Sequence, residues 1–432
     1  MRQTSIFSAL IAKLLAHSFL YYSLQFGRPM KKLLISLLIV TVVLLSGTYV
    51  VGNRVENETQ IILAKSAEQG LSSKLIRYDR HFLKATAVSE VTVVIDGEAP
   101  IVFEINSSIT HYPYKAVITN QIRVLDPDLS KKIEEYFASK NWISSIEEIN
   151  LLGQLTGQLK LLAGSYHHGE EHFATKALQL DYQVNLQDYS GLINLNWPGL
   201  QAQTSDGDFS VESVQLKSNF SSLSAHNEYD YFAEIANVTI QQEDFQSLLQ
   251  GIELQGSSSE GKQLDTVDTS NEWKVALYEV GSGSKRVFTN NHIKLDIEGL
   301  YSPALHILSA ASEDSQQVEK ALSALLIHGA KLTLAKLNSQ TPWGDVTGYL
   351  SVTLQPGALF SDVALNPFAL LDYVTGKANF LMPAGLLEEP HLSEPLQMGL
   401  RTGFLKMQEQ MLSFETQFKQ GELTVNGRVI PL

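Results

Sequence analysis

The chain has 432 residues, 44% of them apolar and 18% charged, with a net charge of −14 and no cysteine. That length holds one large or two medium domains with a real core, and the composition suits a folded chain rather than a disordered one. The acidity repels phosphate backbones, so nucleic acid is not an expected partner. The absence of cysteine removes disulfide frameworks, thiol nucleophiles and cysteine-ligated metal sites.

The first segment, residues 1–29, is fairly apolar but broken by Lys13 and His17, and it ends in Gly27-Arg28-Pro29. It reads as an upstream extension, because Met30-Lys31-Lys32 followed by an apolar run is complete as a start by itself. Residues 30–52 read as a membrane anchor. Leu33–Val51 is a 19-residue run without a charge, which as a helix is about 28 Å long and close to the hydrocarbon thickness of a bilayer. Bulky Tyr49, Val50 and Val51 crowd the place where a small-x-small cleavage site would stand, so the span is expected to stay as an anchor. Arg28, Lys31 and Lys32 precede it. The positive flank keeps the N-terminus cytoplasmic and sends residues 53–432 across a bacterial inner membrane into the periplasm, as a single-pass protein.

The stretch Asn53–Ile76 is expected to continue as a helix. Beyond it the apolar period becomes two. In "LQLDYQVNL", Leu178, Leu180, Tyr182, Val184 and Leu186 share one face and polar residues the other, the pattern of a strand with one wet face. The same alternation marks Leu151–Leu162, Ile293–Gly299, Val346–Leu354 and Phe414–Phe418. Clean alternation on many strands favours antiparallel sheet. Turn chemistry separates them at Ser205–Asp208, Gln255–Gly261, Gly281–Lys285, Lys419–Glu422 and Asn426-Gly427. Helices are expected at Asp128–Lys140 with Asp128 as its cap, Gln241–Gln250, Pro303–Gly329, Asn366–Gly376 and His391–Met411. The fold class is therefore α+β, mainly β: a transmembrane helix, then long antiparallel sheet with several packed helices. The polar stretch at 256–270 reads either as a sub-boundary or as one long hairpin loop.

The string "SYHHGEEH" is the one catalytic-looking motif. His168, Glu171 and His172 satisfy H-x-x-E-H, which places two zinc ligands and a general base on one helical face. Here the string carries Gly164 and Gly169 between two alternating segments. That setting is strand–turn–strand, so the expectation is a solvated hairpin loop: no catalytic residue, no cofactor and no metal, with His168, Glu171 and His172 as the candidates if a metal-dependent hydrolase is considered. No P-loop, G-x-S-x-G or dinucleotide fingerprint is present. The four tryptophans are scattered and are expected to pack in strands and core.

The anchor followed by "GNRVE", the string "YDRHFLKATAVSEVTV", the His111-Tyr112-Pro113 triplet, "IKLDIEG" and the closing "FETQFKQGELTVNG" resemble the YdgA-like family of bacterial inner-membrane proteins. The resemblance spans roughly Met30 to Leu432 and implies one N-terminal anchor, a large periplasmic region and no assigned reaction. Members tend to carry His-Gly-Pro where this chain has His111-Tyr112-Pro113, so the turn there is expected to differ. The layout is also similar, at the level of fold alone, to AsmA-like envelope proteins linked to outer-membrane lipid homeostasis. The function expected is non-enzymatic: a sheet whose apolar face, with few helices to cover it, meets a lipid, another hydrophobic ligand or a protein partner. A structural envelope protein that self-associates into a homo-oligomer through exposed strand edges is the alternative.

Overall fold

The computed structural model describes residues 71–430, apart from 82–83, 95–98, 113–114, 151, 186, 189, 222–227, 311–314 and 420. The expected anchor Leu33–Val51 and residues 1–29 lie outside the described residues. Among the described residues no helix is long and apolar enough to cross a membrane. The chain divides into two units. The first holds residues up to Ser205 together with Gln215–Ser224, and the second holds Asp206–Val214 and Ala225–Leu432.

The first unit is an antiparallel meander. Its strands are β1 (Leu71–Arg80), β2 (Lys84–Val93), β3 (Ile101–His111), β4 (Lys115–Val124), β5 (Ile143–Asn150), β6 (Gln154–Leu161), β7 (Gly164–His168), β8 (Glu171–Thr175), β9 (Leu178–Asn185) and β10 (Gly191–Thr204). Each of β1 to β5 pairs with the next. β6 and β7 then form one arm of a single long hairpin, with β8 and β9 as the other. Pairing runs from Gln154↔Asn185 to Leu161↔Leu178 and resumes in the same register from Gly164↔Thr175 to His168↔Glu171. β10 backs this second arm along both pieces.

One face of this meander is deeply buried. On β4 and β9 every second residue points inward, and Ile118, Ile122, Leu180 and Val184 are at most 5% exposed. Alternation of this kind is what pins the register, because a slip by one residue would turn the apolar set to solvent. The helix Pro127–Phe137 crosses between β4 and β5. Its cap is Asp126, whose carboxylate accepts from Leu129 N at 2.8 Å, and not the expected Asp128. Pro127 at the first helical position moves the cap one residue upstream of it. Ile133 and Phe137 bury that helix on the unit, and Phe137 stacks on Trp142 with ring centroids 5.4 Å apart.

Strand β11 (Gly207–Phe220) contributes to both units. The second unit is another antiparallel meander with longer strands: β12 (Tyr229–Gln241), β13 (Gln246–Glu260), β14 (Thr266–Gly281), β15 (Arg286–Tyr301), β16 (Ala330–Thr341), β17 (Gly344–Leu354), β18 (Val374–Pro383), β19 (Lys406–Gln408), β20 (Met411–Lys419), β21 (Glu422–Val425) and β22 (Arg428–Ile430). Neighbours from β12 to β18 pair in chain order. β20 then pairs with β18 on one side and with β19 and β21 on the other, and β22 pairs with β21.

Several helical expectations give way to strand. Leu71–Ile76, expected as the end of a helix, is the start of β1. Gln246–Gln250, expected as helix, opens β13, and the turn before it is closed by Gln242 N donating to Phe245 O. The helix-favouring composition of these pieces is outweighed by long ladders on neighbouring strands. The stretch Pro303–Gly329 holds two helices, Ser302–Ala310 and Ser315–His328, and Gly329 at φ +69° stops the second as expected. The helix expected at Asn366–Gly376 is a 3-10 turn, Pro367–Asp372, followed by the start of β18, while a short helix, Phe360–Leu365, precedes it. The helix expected at His391–Met411 spans Pro390–Thr402, and Lys406 onward is strand. The expected Gln255–Gly261 turn lies largely in β13. The polar stretch at 256–270 is thus part of the β13–β14 hairpin, while the division into units falls between residues 205 and 225.

The Asn426-Gly427 turn forms as expected between β21 and β22. Both residues have positive φ, +50° and +78°, the requirement of a type I′ turn. Asn426 is also a staple. Its side-chain amide donates to Gly403 O at 3.0 Å and Phe404 O at 2.9 Å, and its Oδ1 accepts from Glu415 N at 3.0 Å. Asn426→Ala removes these bonds from a buried site and puts a Cβ-only residue at positive φ. A loss of about 2–4 kcal/mol in denaturant unfolding is expected.

Candidate functional site

Three places in the described structure carry chemistry: the tip of the long hairpin, a polar cluster inside the first unit and one face of the second unit's sheet.

At the tip, Gly169 takes φ +62° in the two-residue turn between His168 and Glu171. The H-x-x-E-H string is therefore extended, as its setting suggested. His168 pairs with Glu171 and His167 with His172, so His168 and His172 leave the hairpin on opposite faces. The shared helical face that a zinc peptidase needs is not formed. The rings brought together are those of His167 and His172, with centroids 4.0 Å apart and planes 9° apart. Below the tip, Tyr136 and Phe137 press against Gly164, where a Cβ would sit 2.5 Å from the Tyr136 ring. Burial pushes the Tyr136 hydroxyl up to about 12, despite its hydrogen bond to the Thr175 backbone.

Inside the first unit, β5 places Ile143, Ser145, Glu147 and Ile149 on the buried face. Glu147 is 0% exposed. Its Oε1 accepts from Ser145 Oγ at 3.0 Å and from Asn120 Nδ2 at 3.1 Å, and Ser107 Oγ holds Asn120 Oδ1 at 2.6 Å. The Tyr182 hydroxyl also faces the carboxyl group. Tyr182 reaches it across one strand, because Gly157 lies between them in the row Glu147↔Gly157↔Tyr182. A Cβ on Gly157 would fall 2.1 Å from Tyr182 Cζ, so the ring lies flat over the glycine. Burial raises the Glu147 pKa to about 8, against the lowering effect of Ser145, Tyr182 and Asn120. Ile118 and Ile149, its neighbours across and along the sheet, are apolar and buried, so no cation offsets the charge.

The sheet of the second unit is two-faced. On one side the strands carry charge. Lys274 pairs with Glu253 at 3.4 Å and with Glu272 at 3.2 Å, His292 meets Glu272 at 2.7 Å, and Ser270 Oγ donates to Asp296 at 2.6 Å. Lys331 beside Glu298 holds that carboxylate below its usual range. On the other side a continuous row crosses seven strands: Leu254↔Trp273↔Ile293↔Leu337↔Gly348↔Phe380↔Phe414. Directly paired residues share a face, so this row is one apolar strip. At Gly348 the strip is kept level by its neighbours, since a Cβ there would fall 2.5 Å from Phe380 and 2.9 Å from Leu337. Tyr231 lies over Gly256 in the same way on this face, with its hydroxyl on Asn271 at 3.2 Å.

The strip is only half covered. Leu254, Trp273, Leu337, Phe380 and Phe414 are partly accessible, and Ile293 is 40% exposed. By contrast, the inward rows of the first unit are almost fully buried. Apolar surface of this extent that a fold leaves open is a place for something else to bind.

Among the described residues no three His, Asp or Glu side chains gather as a metal-holding group. Sequence reading missed Glu147, although "ISSIEEIN" carries the signal. With Ile143 and Ile149 inward, period two forces Ser145 and Glu147 inward as well. It also paired His168 with His172, where the two-residue turn pairs His167 with His172.

These features define a two-unit, antiparallel β protein whose second unit has one charged and one partly open apolar sheet face. The chain belongs to the family described as a bacterial protein of unknown function (DUF945), which matches residues 30–432. No curated protein and no solved structure matches it.

Proposed function

We propose that this is a non-enzymatic, YdgA-like envelope protein, anchored in the inner membrane through Leu33–Val51, that presents the apolar strip of its second unit to the hydrocarbon chain of a lipid in the periplasm. The half-covered row from Leu254 to Phe414 is the observation that carries this reading. Six strand spacings of about 4.8 Å make the strip about 29 Å long, so its long, narrow form suits an extended acyl chain better than a compact ligand. The charged back of the same sheet supports the reading, because its ion pairs leave the opposite, apolar side for the ligand. An anchor at Leu33–Val51 would keep the strip within reach of a bilayer. The chemistry of the other two places counts for less. His168 and His172 sit on opposite faces of the hairpin, and Glu147 is closed to solvent.

Binding of a fluorescent long-chain fatty acid to the full chain in detergent micelles tests this. Ile293→Lys puts a charge into the middle of the strip at a position already 40% exposed, so stability should change by about 1 kcal/mol or less. Affinity is expected to fall at least tenfold. Lys336→Glu, on the charged face, should leave it unchanged. Equal binding by Ile293→Lys and the unaltered chain would overturn the reading. A ligand-free chain that forms a defined dimer would favour the self-associating alternative.

A further inference from the structure

We propose that His167 and His172 form a two-imidazole site for one divalent transition-metal ion of borderline softness, such as Cu(II) or Zn(II). The site stands apart from the apolar strip and does not rest on the function proposed above. The two residues are directly paired across β7 and β8, so their side chains leave the same face of the hairpin. Their rings lie 4.0 Å apart and nearly parallel. A small opening of the stack by rotation about the Cα–Cβ bonds would bring a nitrogen of each ring to bond a common ion about 2.0–2.1 Å away. His167 is exposed and His172 half-buried, so an ion has a direct path and water can fill its remaining positions.

Two features favour a ligand over a mere surface stack. Among the described residues no hydrogen bond holds the ring nitrogens of either histidine, which leaves their lone pairs available. The backbone beneath them is fixed by the long hairpin. Gly169 closes the turn at φ +62°, the ladder is continuous from His168 to Gly164, and Gly164 is pinned under Tyr136 and Phe137. A pair held on paired strands loses little freedom on coordination, which favours chelation. Imidazole suits Cu, Zn and Ni, and Cu(II) binds most tightly in that series. The neighbouring His168 stacks on Tyr166 on the opposite face, with centroids 6.1 Å apart, and is not part of the site.

The test is a titration of the purified full chain with Cu(II), followed by calorimetry and by electron paramagnetic resonance. One ion per chain in the micromolar range is expected, with hyperfine structure from two imidazole nitrogens. His167→Ala and His172→Ala should each weaken binding at least tenfold, while His168→Ala should leave it intact. Circular dichroism of each variant reports whether the hairpin unit stays folded, and His172→Asn supplies a second, polar replacement. Binding unaffected by His172→Ala and His172→Asn, or weak uptake of several ions per chain that no variant changes, would mean an adventitious ion only and overturn the proposal.

Discussion

Glu147→Gln is expected to stabilise the protein at neutral and alkaline pH and to remove a large part of its pH dependence. The carboxyl group has a pKa of about 8 in the folded chain, raised by burial from its ordinary 4.5. The folded state therefore holds this proton more tightly than the unfolded chain does. Its contribution to stability is complete below pH 4.5 and is lost as the pH rises through 8. At about 1.4 kcal/mol per unit, the loss is on the order of 5 kcal/mol. Gln keeps the shape, accepts the bonds of Asn120 and Ser145, and never ionises. Urea unfolding of the two chains between pH 5 and 9 should give curves that coincide at the acid end and separate progressively above it. Parallel curves would show that Glu147 does not carry its proton into the neutral range. Glu147→Ala should be worse than Gln at every pH, because it strands Asn120 and Tyr182 in the core.

Gly157→Ala is expected to be among the most damaging single-methyl changes in the chain. The added Cβ would lie 2.1 Å from Tyr182 Cζ and 2.3 Å from its hydroxyl. The ring cannot move sideways without leaving its place beside the buried Glu147, and the backbone is held in ladders to β5 and β9. A loss of about 3 kcal/mol or more follows from forced overpacking together with a broken buried network. In a double-mutant cycle with Tyr182→Ala the cost should be strongly non-additive, since removing the ring removes the clash. Additive costs would mean that the damage arises elsewhere.

What was legible in the sequence follows from how each unit buries its strands. In the first unit one face is closed, so β9 reads as Leu178, Leu180, Tyr182 and Val184 at every second position, and the structure keeps that pattern unchanged. The same logic held for Ile293–Gly299, Val346–Leu354 and Phe414–Phe418, all of which lie inside strands of the second unit. It failed where strand content is polar. Gln255–Glu260 carries a run of serines that reads as a turn, yet it is paired residue by residue with β14. Pairing energy that resides in the backbone ladder leaves no mark on side-chain pattern. Glu147 was hidden for a related reason. A lone glutamate beside another in "EE" reads as surface charge until the face of Ile143 and Ile149 is followed through it. The histidine pair depended on which two residues form the turn, a choice set by the positive φ of Gly169. The exposure of the apolar strip was signalled only by the shortage of helices to cover it, since alternation reports that a face is apolar and not whether anything lies on it.

Native mass spectrometry of the full chain released gently from membranes, with solvent extraction of the same sample, tests the central proposal most directly. A lipid bound at one or a few molecules per chain, and lost in Ile293→Lys, is expected. A chain that is reproducibly free of lipid, both unaltered and after incubation with phospholipid vesicles, would contradict it.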